Sequence, residues 1–319
     1  MQQRPPVDPP DASARRTAAD FDPELLQLFD AYVHGLIDRR GFLERAAKFA
    51  VGGATALGLL TALNPRFAEA RQIAPNDARL KSEFVELEFP AGYGKVRGYL
   101  TRPKKHGGKL PAVLVVHENR GLNPHIEDVA RRLGLAGFVA FAPDALFPLG
   151  GYPGDEDKAR ELFATLDQQK TRAGFIAAAG FAKRHPEANG RLGVVGFCYG
   201  GGIAHFLATE LSDLGAAVPF YGSSPAPEAA ANVKAPLLVH LAEHDERINS
   251  AWPAYQAALE AAPANFEVFT YPGTQHGFHN DTTPRYDKAA AKLAWQRTLA
   301  LFNRTLRAED DAGGTMPKP

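Results

Sequence analysis

Leu192-Gly-Val-Val-Gly-Phe-Cys198-Tyr-Gly-Gly-Gly202 decides the fold of this chain. An apolar run ends in Gly-x-Cys-x-Gly, which reads as a buried strand, a sharp turn and the start of a helix. Such an elbow lifts the central side chain to the top of a sheet and brings the next backbone N–H close to it. Cys198 is the only cysteine among 319 residues, so it forms neither an internal disulfide nor a cysteine cluster for a metal. The plainer reading is a buried cysteine acting as a small apolar side chain. The surrounding segments decide between the two.

Around the elbow, apolar strand-like runs alternate with amphipathic or Ala-rich stretches. Upstream lie Pro111–Val116 and Phe138–Ala142, with a helix predicted from Asn123 to Ala136 and another from Thr171 to His185. Downstream, a helix over 200–211 is followed by strands over 216–221, 236–241 and 266–271, a helix over 252–262 and a closing helix over 284–306. The pattern predicts an α/β fold: a mostly parallel sheet with helices on both faces. Residues 84–89 and 96–101 add an antiparallel hairpin at the sheet edge.

In strand–elbow–helix hydrolases the acid and the histidine follow the nucleophile along the chain. Pro236–Leu241 runs into Ala242-Glu-His-Asp245-Glu246, which places Asp245 just past a strand end. Phe266–Tyr271 leads into Pro272-Gly-Thr-Gln-His276-Gly-Phe278, which leaves His276 in a Gly-flanked loop. A neutral imidazole takes a thiol proton and then stabilises the thiolate, while a carboxylate fixes its tautomer. A lone loop His or Asp is usually a solvated surface residue. Three residues in this order, each after its own strand, favour a Cys198–His276–Asp245 triad. Glu243 and Glu246 compete for the acid role, and His240, His244 and His279 for the base, but none sits as well on a strand–loop unit.

Pro111–Val116 ends in His117-Glu-Asn-Arg-Gly-Leu122. This position supplies the second oxyanion donor in such folds, which assigns the backbone N–H of Asn119 alongside that of Tyr199. Glu118 either caps the loop or contacts the catalytic groups. The Gly/Pro/aromatic segment 143–154 and Tyr221 lie on the same face; the segment is a candidate pocket wall or lid, or else an ordinary loop, and Tyr221 is a candidate substrate contact.

These pieces, Val115-Val-His-Glu-Asn-Arg-Gly-Leu122, Gly196-Phe-Cys-Tyr-Gly-Gly-Gly202, Asp245 and Gln275-His-Gly-Phe278, resemble the dienelactone hydrolase (carboxymethylenebutenolidase-like) family over residues 80–306. The resemblance implies an α/β-hydrolase fold, a Cys-His-Asp triad, no metal and no cofactor. It also implies that Glu118 pairs with the resting thiol. Dienelactone-specific members carry an arginine four residues after the histidine, where this chain has Asn280. A carboxylate clamp needs the guanidinium fork, so ester or lactone cleavage is expected while dienelactone itself is not. Arg120 and Arg247 border the site and are candidates for that role. His240-x-x-x-His244 carries no metal expectation, because a strand does not bring both rings to one face in the helical way.

Formal net charge is zero and apolar content is 45%, which gives no signal for nucleic-acid binding. The expected partner is a small ester or lactone. Residues 1–75 read as a separate unit from the hydrolase domain at 76–319. Residues 1–20 are Pro-, Arg- and Asp-rich, as in disordered segments. Asp38-Arg-Arg-Gly-Phe-Leu43 precedes a small-residue apolar stretch over 49–63, too short for a membrane span, and then Ala68-Glu-Ala70. This resembles a twin-arginine export signal, which implies a periplasmic or exported enzyme, and otherwise a cytoplasmic one. The competing reading is a helical hairpin packed on the domain. Two other functions stay open: a general carboxylesterase or thioesterase, and an envelope thiol sensor without turnover.

Overall fold

A computed structural model describes residues 15–307 of the chain; residues 1–14 of the expected leader lie outside the described residues. Ala18–Asp20 form a 3₁₀ turn in which Thr17 and Asp20 cap each other's backbone, so the expected disorder does not extend to residue 20. Next comes a small helical arm: α1 (Pro23–Val33), α2 (Arg39–Ala46), α3 (Ala56–Leu63) and α4 (Phe67–Ala70). Asp22, Asp38 and Thr55 cap α1, α2 and α3 with side-chain oxygens, which satisfies donors that no helix can bond internally. Leu25, Leu26, Phe29, Phe42, Leu60 and Leu63 share an apolar cluster of the arm's own. Residues 21–63 form a packed helical layer. Among the described residues no helix is long and apolar enough to cross a membrane.

The main domain starts at the hairpin β1 (Leu80–Phe89) and β2 (Gly94–Pro103), paired antiparallel with Phe84 opposite Tyr99. Then follow β3 (Leu110–Val116), α5 (Pro124–Leu135), β4 (Val139–Pro143), α6 (Glu156–Ala164), α7 (Gln168–Lys183), β5 (Ala188–Phe197), α8 (Tyr199–Glu210) and β6 (Ala216–Phe220). The chain closes with β7 (Leu237–His244), α9 (Glu246–Asn249), α10 (Trp252–Ala261), β8 (Phe266–Gln275) and α11 (Lys288–Leu306). The eight-stranded sheet has the order β1-β2-β4-β3-β5-β6-β7-β8. β2 pairs antiparallel with both neighbours, and the strands from β4 to β8 run parallel. This is the expected α/β-hydrolase architecture.

Why β3 reads as one unbroken apolar run is visible in its packing. Ala112, Leu114 and Val116 face a core shared with Phe175 and Ala179 of α7 and Leu207 of α8. Val113 and Val115 face the opposite core, with Val129 and Leu133 of α5 and Phe302 of α11. Each face thus buries apolar side chains, and each fully buried Val or Leu contributes about 1.5–3 kcal/mol. The closing helix starts at Lys288 instead of 284, because the Asp287 side chain caps it by accepting from Ala290 N. The freed residues 276–287 stay in a loop beside the elbow.

Candidate functional site

The elbow forms because two glycines let β5 and α8 meet the neighbouring strand at backbone distance. A Cβ on Gly196 would sit 1.8 Å from the Gly200 carbonyl oxygen, and one on Gly200 would sit 2.3 Å from that of Val116. Cys198 between them has φ 55° and ψ −113°, a strained conformation for a residue with a side chain. Its N–H is tied to the Phe220 carbonyl oxygen at 3.0 Å. The thiol is left at the sheet's carboxyl edge, buried to 8% exposure.

β7 and β8 deliver the two downstream residues to the same edge. Asp245 follows β7 and precedes α9, and His276 follows β8. His276 Nδ1 lies 2.6 Å from Asp245 Oδ2, while its Nε2 is buried without a hydrogen-bond partner. The imidazole ring also stands edge-on to Tyr221 at 5.0 Å. Tyr221 is itself held at φ 37°, and burial pushes its phenol well above the usual range, so the hydroxyl stays neutral.

A second histidine reaches the sulfur from the arm. His34, at the C-terminal end of α1, places Nε2 3.3 Å from Cys198 Sγ. Its Nδ1 contacts the Asp30 carbonyl oxygen at 2.8 Å and an Asp30 carboxylate oxygen at 3.3 Å. The ligand atoms of His34, Cys198 and His276 all lie within 4.8 Å of one another. Arg247 Nη2 lies 3.0 Å from His34 Nε2 and 3.3 Å from His276 Nδ1. That guanidinium sets a positive charge against a cation held by these three groups.

The charges divide along the same lines. Burial alone would raise the Cys198 thiol, but the charges of His276 and His34 outweigh it and bring it down to about 5. Burial would lower His276, yet Asp245, the Cys198 sulfur and Asp30 raise it to about 10. His34 is raised from its ordinary value, because the sulfur and Asp30 outweigh its burial. Burial also works against the Asp30 charge, but His276, His34 and Arg285 hold that carboxyl well below its usual range. A carboxylate-backed imidazole beside a thiol of this kind can hold a thiolate–imidazolium pair.

Glu118, Asn119, Arg120, Cys198, His276 and Asn280 line one cavity. The Tyr199 N–H is at the first turn of α8, where helix donors have no internal acceptor. The Tyr199 side chain points elsewhere, donating its hydroxyl to Gln168 Oε1 at 2.8 Å. The Glu118 Oε2 accepts from Asn280 Nδ2 at 3.0 Å, and the contact on sulfur comes from His34. Asn280 is thereby occupied as a support for Glu118. Arg120 faces Glu156 at 3.3 Å. Segment 143–154 does not line the thiol cavity, because Leu146 turns into a cluster with Ala159 and Phe163. His240 donates to or accepts from Tyr271 and Thr298 in the core, far from a ligand role.

Sequence reasoning missed the arm's contribution. Phe29, Tyr32, Val33 and His34 line the same cavity, as does Arg285. The Val33 carbonyl oxygen accepts from Asn119 Nδ2 at 2.9 Å, and Arg285 Nη1 reaches Asp30 Oδ1 at 3.2 Å. The available signal was Asp30-x-x-x-His34 at the end of an amphipathic helix. It lay within a segment read chiefly as a leader.

The family model of the dienelactone hydrolase family matches residues 96–306, and a second model, described as YqhI-like, matches residues 13–48. An Escherichia coli K12 protein named "Putative hydrolase fragment YghX" is 54% identical over 113 residues, which is 35% of this chain and 97% of the relative. A "Putative carboxymethylenebutenolidase" of the same strain is 34% identical over 72% of this chain and 89% of its own. A Klebsiella pneumoniae structure titled "Putative Dienelactone Hydrolase" superposes with a TM-score of 0.63 at 32% identity. It covers 70% of this chain and 99% of its own.

Proposed function

The chain belongs to the dienelactone hydrolase family, and from that premise we propose that it cleaves a small ester or lactone through a thioester on Cys198. The carrying observation is the lone buried thiol on a strained elbow, beside an imidazole bonded at 2.6 Å to a buried carboxylate. In this reading His276 takes the thiol proton and Asp245 fixes its tautomer. The thiolate attacks the carbonyl carbon, and the Asn119 and Tyr199 N–H groups receive the developing oxygen charge. The leaving alkoxide takes the His276 proton. Water then hydrolyses the thioester, with His276 the base that the triad alone would supply.

The favoured substrate is neutral. Arg120 faces Glu156, and both Arg285 and Arg247 face Asp30, at 3.2 and 3.7 Å. A carboxylated lactone would have to displace one of these acids. Cys198→Ala should lower hydrolysis of p-nitrophenyl esters by at least about 10³-fold, and the wild type should carry a substrate-derived acyl mass on Cys198. Full activity of the variant would sink the reading. Failure of the wild type on esters, thioesters and lactones alike would favour the thiol sensor.

A further inference from the structure

Two histidines, each against an aspartate, converge on one sulfur from opposite parts of the chain. We propose that His34, held by Asp30 on α1, is a catalytic residue: the general base that activates water against the Cys198 acyl-enzyme. The inference rests on the thioester reading above and assigns to the arm a step that the triad alone would leave to His276.

Geometry sets His34 apart from a side chain that merely fills space. A plug needs only bulk. His34 instead has one ring nitrogen against the Asp30 carbonyl and carboxylate and the other directed at the sulfur. With Nδ1 donating to the Asp30 carbonyl oxygen, Nε2 is the basic nitrogen, and it accepts from Arg247 Nη2 at 3.0 Å. The sulfur charge that raises His34 at rest is gone once Cys198 is acylated, which frees Nε2 to act as a base in the second step. His276 is placed differently. Its Nε2 is fully buried, whereas the His34 side chain keeps 11% exposure. The cavity that both histidines line has about 520 Å³ of empty space, part of it open to solvent.

The step balances as follows. His34 Nε2 takes a proton from water while the water oxygen bonds to the thioester carbonyl carbon. The tetrahedral intermediate collapses, the C–S bond breaks, and the electron pair returns to sulfur. His34 gives the proton to the departing Sγ, 3.3 Å from Nε2 in the resting site. The carboxylic acid leaves, and the thiol passes its proton to His276 for the next cycle.

Stopped-flow hydrolysis of p-nitrophenyl acetate by the full chain tests this. His34→Gln should keep the p-nitrophenol burst and lose steady-state turnover by about 10²–10⁴-fold. The acetylated enzyme should then accumulate as a mass shift on Cys198. Asp30→Asn, which keeps the ring in place but weakens its orientation, should show the same burst with a smaller loss of turnover. Unchanged or faster turnover in both variants would overturn the proposal and leave the arm as a plug. Loss of the burst together with turnover in folded His34→Gln would also overturn it, by moving His34 to the acylation step. If His34→Gln fails to fold, Asp30→Asn alone decides on the same criteria. A Cys198→Ala enzyme that still shows a burst would mark failure of the thioester reading instead.

Discussion

At Cys198 two effects of opposite sign compete, and the neighbours decide. Burial disfavours a thiolate, yet two imidazoles within 4.8 Å bring the thiol to about 5 from an ordinary 9.0. A thiol lowered in this way is ionised above about pH 6 and loses the thiolate as pH falls through about 5. The rate of iodoacetamide alkylation at Cys198 should therefore rise with an apparent midpoint near 5 and plateau well before pH 8. His276→Ala removes the largest favourable charge while the burial remains, so its midpoint should move up by units toward 9. A wild-type midpoint near 9 would mean that the imidazoles do not hold the thiolate. Asp245 acts one step further out. With Nδ1 bound at 2.6 Å, Asp245→Asn should favour the wrong tautomer and lower kcat by about 10⁴-fold, as loss of a triad acid does elsewhere. Wild-type kcat in that variant would transfer the orienting role to another group, with Arg247 the nearest to Nδ1 at 3.3 Å.

At the scale of elements, what could be read in advance depended on how local the cause was. β3, β5 and β7 are apolar on both faces, so their sequence announces burial without further context. The order Cys198, Asp245, His276 was legible because each residue terminates its own strand. α6 was missed because Glu156–Ala164 follows a Gly/Pro-rich stretch and is fixed by Asp155, which caps it by accepting from Lys158 N. β8 runs on through Pro272-Gly273 to Gln275, which an edge strand permits and a central one would not. His34 was illegible for a different reason: its partner is 164 residues away, and nothing in the local pattern points across that distance. The elbow offers the sharpest element-level test. A Cβ at Gly200 would meet the Val116 carbonyl oxygen at 2.3 Å, so Gly200→Ala must push α8 away from β3. Urea unfolding should show a loss of about 1–3 kcal/mol or more. Activity should fall further than stability, because the Asn119 loop follows β3 directly. An unchanged midpoint would show that the two elements are not in rigid contact.

For the molecule as a whole, the question is whether the arm is a resident part of the enzyme. It is fastened by polar contacts as well as by its own core. Asp30 meets Arg285, Arg39 meets Asp157 at 2.5 Å, and the Tyr32 carbonyl oxygen accepts from Arg160 at 2.5 Å. The stretch that resembles a cleavage site is folded too. Ala68-Glu-Ala70 lies in α4 with Ala70 buried. The amides of Gln72 and Ile73 donate to Asp128 at 3.1 and 2.8 Å, and Arg66 N donates to the Thr282 carbonyl oxygen at 2.8 Å. Export on the strength of Arg39-Arg40 remains a proposal with its own check: a double Arg39→Lys, Arg40→Lys variant should stay with the cytoplasmic fraction if the pair is read as a signal. Cutting after Ala70 is a separate matter, since it would remove His34 and with it the proposed base. The enzyme recovered active from its own cells should therefore give an intact mass that includes His34, in whichever compartment it is found. An active enzyme whose sequence starts at Arg71, with turnover equal to that of the full chain, would leave the arm no part in the reaction.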